Sequence, residues 1–415
     1  MNRFFNFKIN NNGSYFAFMA LLYVVSPLMC FIVALFYYKK TVSQFFFVAF
    51  AFYFGFQLGA NLDLMLHWDT YQLFLGHSLG EMYTNPIVLY QGQEPYHILL
   101  KWILSRFDVS QRVFSGTACS LYTIFVLTFI RQYKSFYLEN ISSLNVLVLA
   151  NIVVIVEFYW YFGIRFWTAA FVFMIFYSRY IITGKKKFLA LSATAMLFHV
   201  AMATPVCVAV GVELIRDNRI VEYVLLAISF VIRFVGFQFD RFMQKNPLVQ
   251  AFYKDNYQKD FYIEAINKVT EEKYSNPNLV YTSRIPLMLT FFFFLVTFLW
   301  TRNKHVTKIY PKLFGMVLMM LAVSNFGVSD LVFYERFLKL TTLIAYCWLF
   351  LALLDPSNVW LSNHFIIKVI LLYFVSISIL IALVQQRMII MDMALWFGNF
   401  FYLVPLHELE NGFKN

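Results

Sequence analysis

A chain of 415 residues that is 61% hydrophobic, 21% aromatic and only 13% charged is not an ordinary soluble globule. Its net charge of +11 falls largely in short clusters at the ends of apolar runs, which is the positive-inside pattern and argues against a nucleic-acid partner. The four cysteines (Cys30, Cys119, Cys207, Cys347) all lie in apolar runs without metal-ligand spacing, so no metal and no cofactor is expected.

Apolar runs of spanning length recur from end to end, which predicts an all-α polytopic membrane protein with about 10–12 spans in a single transmembrane domain over 1–415. Residues 1–14 are polar, and the run from Tyr15 is too long for the core of a signal peptide, so it is expected to stay as a helix. Span one is read at Tyr15–Tyr38 and span two at Thr41–Ala60. A mixed segment, 61–112, follows as an outer loop. Within it Pro95–Phe107 is amphipathic and too short to cross, which suits a helix lying at the interface. Spans three to five are read at Val113–Ile130, Asn145–Phe162 and Arg165–Thr183.

The next stretch sets the topology. Phe188–Leu214 reaches His199 and then Pro205 after only about 18 Å of helix, against a hydrocarbon core about 30 Å thick. Lys39-Lys40, Arg131 with Lys134, and Lys185–Lys187 share one side if each preceding span crosses once. A single crossing at 188–215 would put the later basic clusters on the other side. A re-entrant hairpin broken near His199–Pro205 keeps them together, and that is the expectation. Span six follows at Ile220–Phe237. The segment 238–284 has nearly balanced charge and reads as a large outer loop or lid. Spans seven to ten are read at Ile285–Thr301, Leu313–Val332, Phe337–Leu354 and Phe365–Val384, with an outer turn holding Asp330, Glu335 and Arg336. Met388–Pro405 fits one more span or an interfacial helix.

This topology collects Asp69, Glu94, Glu157, Arg165, Arg284, Glu335 and Arg336 on the outer face, with His199 reaching towards it from the hairpin. Ionisable groups at membrane depth are costly, and so point to a site. A guanidinium never loses its charge and matches phosphate oxygens in pairs, so arginines beside aromatics (Phe162, Phe166, Trp167, Phe333, Tyr334) suit a lipid-linked phosphate. The carboxylates suit a general base, a sugar ligand or a partner for the arginines. Each residue also has a plainer reading. Arg165 and Arg284 can anchor helix ends at the headgroups, Asp69 can cap a helix, Glu94 can open the helix at Pro95, and Glu157 or Glu335 can simply pair with an arginine. His199 serves as a base, a donor or a packing residue.

The block from Arg165 to His199, with Ala169, Gly184, Lys185–Lys187, Phe188 and Phe198-His199, resembles the Wzy-type polysaccharide polymerases, in particular the EpsG-like branch. Asp69-Thr70-Tyr71, Glu94-Pro95 with the following HILLKWI, and Glu335-Arg336 resemble further segments of that family in the same order. The resemblance covers roughly residues 35–355. The chain departs from it at His67-Trp68, in place of glycine-threonine, and at Phe166-Trp167, where glutamine is frequent. The resemblance implies a GT-C-like glycosyltransferase of a bacterial inner membrane. It would join oligosaccharide units carried on undecaprenyl pyrophosphate, with the active site facing the periplasm or outside. The same lipid-linked oligosaccharide would be both donor and acceptor, and a flippase and a chain-length regulator would be partners. The implied catalytic residues are Asp69, Arg165 and His199. Glu94, Glu335 and Arg336, in the matching segments, would bind substrate, and Glu157 and Arg284 are expected to do so from their place on the outer face. No Asp-x-Asp metal motif occurs, which predicts metal-independent transfer. An O-antigen ligase using the same donor and a lipid-linked oligosaccharide transporter are the alternatives. The transporter predicts inverted repeats, and none is apparent.

Overall fold

A computed structural model of the chain describes residues 12–37, 40–58, 68, 70–85, 94–132, 148, 164–215, 219–234, 309–327, 331–354, 369, 372–373 and 376. Among them all regular structure is helical, with no strand. Three helices are long and apolar enough to cross a membrane: Gln111–Gln132, Arg165–Thr183 and Arg336–Leu353. The expected segment 238–284, span seven, nearly all of spans four and ten, and the stretch from Met388 lie outside the described residues.

The first apolar run forms two helices, α1 (Asn12–Val25) and α2 (Pro27–Phe36), rather than the single span expected. Pro27 has no N–H to donate to the preceding turn, and the ladder resumes where Cys30 N–H donates to Ser26 O at 3.0 Å. Helix α3 (Thr41–Leu58) then returns alongside them. The outer segment contributes α4 (Leu79–Thr84) and α5 (Pro95–Ser105) before the long α6 (Gln111–Gln132). Helices α3 and α6 run antiparallel, with their backbones close. A methyl group at Gly55 would meet Cys119 Sγ and Ser115 O at 2.7 Å, and one at Gly116 would meet Phe52 O at 2.8 Å. In lipid, where apolar surface gains nothing from leaving water, such close contact is a main source of helix association.

Helix α7 (Ile164–Thr183) is the axis of the largest core. Nearly all of its residues from Phe166 to Ile181 are buried, against α6 on one side and the C-terminal helices on others. It stops at Gly184, whose φ of +68° is open to glycine and strained for most other residues. The chain then doubles back. Short α8 (Lys186–Ser192) leads into two 3₁₀ turns, Ala193–Leu197 and Val200–Met202, and α9 (Ala203–Ile215) leads away again. Pro205 sits in the first turn of α9, where no intrahelical donor is needed. Phe198 and His199 are at the tip. The two arms return to a common end, because Lys186 on α8 and Glu213 on α9 meet.

Helices α10 (Arg219–Phe234), α11 (Ile309–Phe326) and α12 (Leu331–Leu354) complete the described core. On α10, Glu222, Leu226 and Ser229 face inward, whereas Ile220, Val224, Ile228 and Val231 are exposed. That is the reverse of a helix on a water-soluble protein and fits a hydrocarbon surround. Asn325 on α11 donates to Ser229 Oγ at 3.1 Å. One expectation is corrected at the α11–α12 junction. Glu335 and Arg336 do not lie in a turn before a helix at Phe337. Helix α11 ends at Phe326, and α12 has already begun at Leu331, so both residues lie in its second turn.

Candidate functional site

The site forms where the Arg165 end of α7, the N-terminus of α5, the hairpin tip and the start of α12 come together. Arg165 Nη1 lies 3.2 Å from Glu94 Oε2. Glu94 is the N-cap residue of α5, yet its side chain makes no cap hydrogen bond. It turns instead to the arginine and is nearly enclosed, with its side chain 6% exposed, while Arg165 keeps 25%. Glu94 thus stands at the start of α5, as expected, and its side chain ties that helix to α7.

Glu94 Oε1 also approaches His199 Nδ1, at 3.9 Å. This is not an ion pair. The Ala201 N–H donates to Nδ1 at 3.1 Å, occupying its lone pair, so the imidazole is neutral and carries its proton on Nε2. His199 thereby caps its own 3₁₀ turn with one nitrogen and keeps the other as a donor. Arg165 and Arg336 both act on the ring electrostatically. The Arg336 guanidinium lies over the Phe166 ring at 5.6 Å, and the Phe166 and His199 rings meet edge to face at 5.5 Å. Arg165, held by Glu94, and Arg336, over Phe166, thus both stand at the His199 ring.

Three buried polar atoms around this cluster have no hydrogen-bond partner: Trp167 Nε1, Thr168 Oγ1 and the Tyr96 hydroxyl. Trp167 and Thr168 follow Arg165 in the first turns of α7, and Tyr96 stands two residues after Glu94 with its ring 4.5 Å from that of Phe198. Buried polar groups left unsatisfied cost stability, so these three have bonding capacity that a partner could fill.

The outer segment supports the site from behind. Fully buried Lys101 hydrogen-bonds Thr70 Oγ1, tying α5 to the chain beside Asp69. Tyr71 donates from its hydroxyl to Leu104 O at 3.3 Å and accepts from the Val109 N–H at 3.1 Å, and burial pushes its phenol up, so it is not a base. Further out, the Ser78 N–H donates to Glu81 Oε2 at 2.6 Å in a capping box, which holds the Glu81 carboxyl below its ordinary value.

Of the residues singled out from sequence, Glu94, Arg165, His199 and Arg336 come together. Asp69, Glu157 and Arg284, and the side chain of Glu335, lie outside the described residues. Among the described residues no group of three or more His, Cys, Asp or Glu side chains could hold a metal ion. Sequence reasoning missed Tyr96, Thr168 and Lys101, and picked out Trp167 only as an aromatic beside Arg165. A polar atom one turn from an ionisable residue on an otherwise apolar helix was the available signal for Thr168. It also missed a second cluster at the Gly184 end of α7. There Lys312 Nζ donates to Glu213 Oε2 and to the Tyr180 hydroxyl, both at 2.6 Å, and Tyr180 in turn hydrogen-bonds Glu213. No family model, curated protein or solved structure matches the chain.

Proposed function

We propose that the chain is a membrane glycosyltransferase that polymerises oligosaccharide units carried on undecaprenyl pyrophosphate, with its site at the outer face of a bacterial inner membrane. The observation that supports this most directly is the meeting of Arg165, Arg336, His199 and Glu94, drawn from four separate parts of the chain. Two guanidiniums converging on one place are what a pyrophosphate leaving group requires. In this reading 188–215 is a re-entrant hairpin that carries His199 to membrane depth.

The chemistry asked of these residues is modest. The bond between the anomeric carbon of the growing chain and its pyrophosphate oxygen breaks, and the acceptor sugar hydroxyl forms the new bond to that carbon. Arg165 and Arg336 hold the pyrophosphate and take up the charge that develops on its oxygen. His199 donates from Nε2 to the same phosphate. Glu94 keeps Arg165 in one rotamer while leaving it part of its donors. The hydroxyl proton goes to a carboxylate, which we assign to Asp69, beside the Thr70 that Lys101 fixes.

Reconstitution tests the proposal. Purified protein is mixed with undecaprenyl-pyrophosphate-linked repeat units, with chelator present, and products are resolved by size. A ladder of longer lipid-linked glycans is expected. A folded preparation that binds the lipid but gives no ladder would refute polymerisation and turn attention to a ligase awaiting another acceptor or to a transporter.

A further inference from the structure

The cap of the hairpin tip is a bond that a proton would break. Phe198 and His199 stand between two 3₁₀ turns, Ala193–Leu197 and Val200–Met202, whose hydrogen bonds are poorer in geometry than those of an α-helix. His199 is extended, at φ −159° and ψ 123°, and its Nδ1 accepts from the Ala201 N–H at 3.1 Å. The same nitrogen lies 3.9 Å from Glu94 Oε1, while the other oxygen of that carboxylate, Oε2, lies 3.2 Å from Arg165 Nη1. The two roles of Nδ1 exclude one another. With a lone pair it caps the turn. With a proton it faces a carboxylate that has to close by roughly 1 Å to make a charge-assisted hydrogen bond.

What surrounds the ring decides when that exchange occurs. Among the described residues the charged groups facing it are Glu94 of α5, Arg165 of α7 and Arg336 of α12. Tyr96 of α5 and Phe125 of α6 meet the tip through Phe198, and residues 193–205 carry no titratable side chain besides His199. An imidazolium here would stand beside both guanidiniums, and like charges oppose it. An anion laid on the arginines offsets that opposition and leaves Glu94 in place to receive the second N–H.

We infer that an anion bound on Arg165 and Arg336 draws a proton onto His199 Nδ1, and that the ring then exchanges the Ala201 N–H for Glu94 Oε1, so the tip latches onto α5 only when the site is filled. The inference rests on the phosphate part of the proposed function and adds a regulation of that site. The proton comes from solvent, and Nε2 keeps its own hydrogen towards the phosphate. Glu94 then bridges Arg165 and His199, one oxygen to each, and joins α5, α7 and the hairpin. When the pyrophosphate leaves, the arginines again oppose the second proton, the Ala201 cap re-forms and the latch opens.

The test titrates geranyl pyrophosphate into the full chain in nanodiscs by calorimetry, at one pH, in buffers of low and high ionisation heat. The difference reads the protons taken up per ligand bound. His199→Asn is the reference, because asparagine can keep the Ala201 cap but cannot take the proton. The wild type is expected to take up roughly half a proton or more beyond that reference. Glu94→Gln keeps the histidine and removes the charge that receives it, so uptake should fall towards the reference, which guards against a local misfold at the tip. Equal uptake in the wild type and His199→Asn, or undiminished uptake in Glu94→Gln, would overturn the latch, leave His199 as a fixed neutral donor and spare the polymerase reading. Proton uptake at His199 without a product ladder would uphold the latch and sink the polymerase. A folded wild type that binds no pyrophosphate would sink the latch and the phosphate site together.

Discussion

The two ends of α7 carry clusters of similar composition and opposite design. At the Gly184 end, Glu213 is matched by Lys312 and also hydrogen-bonded to Tyr180, with Lys186 at 4.0 Å reaching it from an 83% exposed side chain. Two lysines share one carboxylate, and Glu213, Lys312 and Tyr180 are all hydrogen-bonded to one another. At the Arg165 end, Glu94 holds Arg165 at 3.2 Å while Arg165 stays 25% exposed, and Trp167 Nε1 and the Tyr96 hydroxyl have no hydrogen-bond partner. The first arrangement is a strut that fastens the hairpin to α7 and α11. The second leaves bonding capacity unspent, and that is how a site differs from a strut made of the same residue types.

The largest expected effect separates the two. Arg165→Ala should cut transfer per folded molecule at least a hundredfold, on the order of what losing one charge-stabilising donor costs, with insertion kept and thermal unfolding lowered because the nearly enclosed Glu94 loses its partner. Normal polymer length in that variant would remove the assigned role. Glu213→Ala should spare turnover. It leaves Lys312 without its carboxylate and should cost about 1–3 kcal/mol, below the full penalty of a buried pair because both side chains are partly exposed. Thermal unfolding should fall, while turnover per folded molecule holds. A drop in turnover at unchanged stability would erase the distinction between strut and site.

His199→Asn sharpens the comparison within the site. Asparagine can accept from the Ala201 N–H and still present a donor, so transfer should fall roughly tenfold, whereas His199→Ala should lose roughly a hundredfold. Equal losses would show that Nε2 contributes nothing. Cysteines at Lys186 and Arg219 should both resist a membrane-impermeant outside reagent, since Lys186 and Glu213 meet. Labelling at Arg219 alone would break the hairpin reading. The smallest effect lies farthest from either cluster. The Glu81 carboxyl is held low by Ser78, so the capping box is intact above the unfolded carboxyl's titration and is lost as pH falls through the lower folded value. Amide exchange at Ser78 should speed up only in that acid range. The same speeding near neutrality would contradict the bond.

What was legible in the sequence was local. Helices α6 and α7 begin and end within two residues of their expected bounds, because Gly184 and the flanking polar residues stop them. The interruption at His199 and Pro205 was likewise visible as a polar residue and a proline in an apolar run. The Ser26–Pro27 break was missed although proline announced it, since the run's hydropathy masked the missing donor. Pairings across long separations had no such mark. Glu94 and Arg165 are 71 residues apart, and nothing near Glu94 distinguishes a carboxylate that opens a helix from one that leaves the cap for an arginine. The same holds for Glu213 and Lys312, whose neighbours are apolar in both directions. Their meeting depends on where the hairpin returns.

The close approach of α3 and α6 has a practical chemical consequence. With Gly55 pressed onto Cys119, that thiol is sealed between two backbones, and Cys30 and Cys347 are buried as well. Cys207 is the exposed thiol of the four. A maleimide added to the native protein should therefore react at Cys207 and spare the others. Replacing that one residue yields a nearly silent background for introduced cysteines, and replacing Cys119 to reach the same end would disturb the contact that silences it.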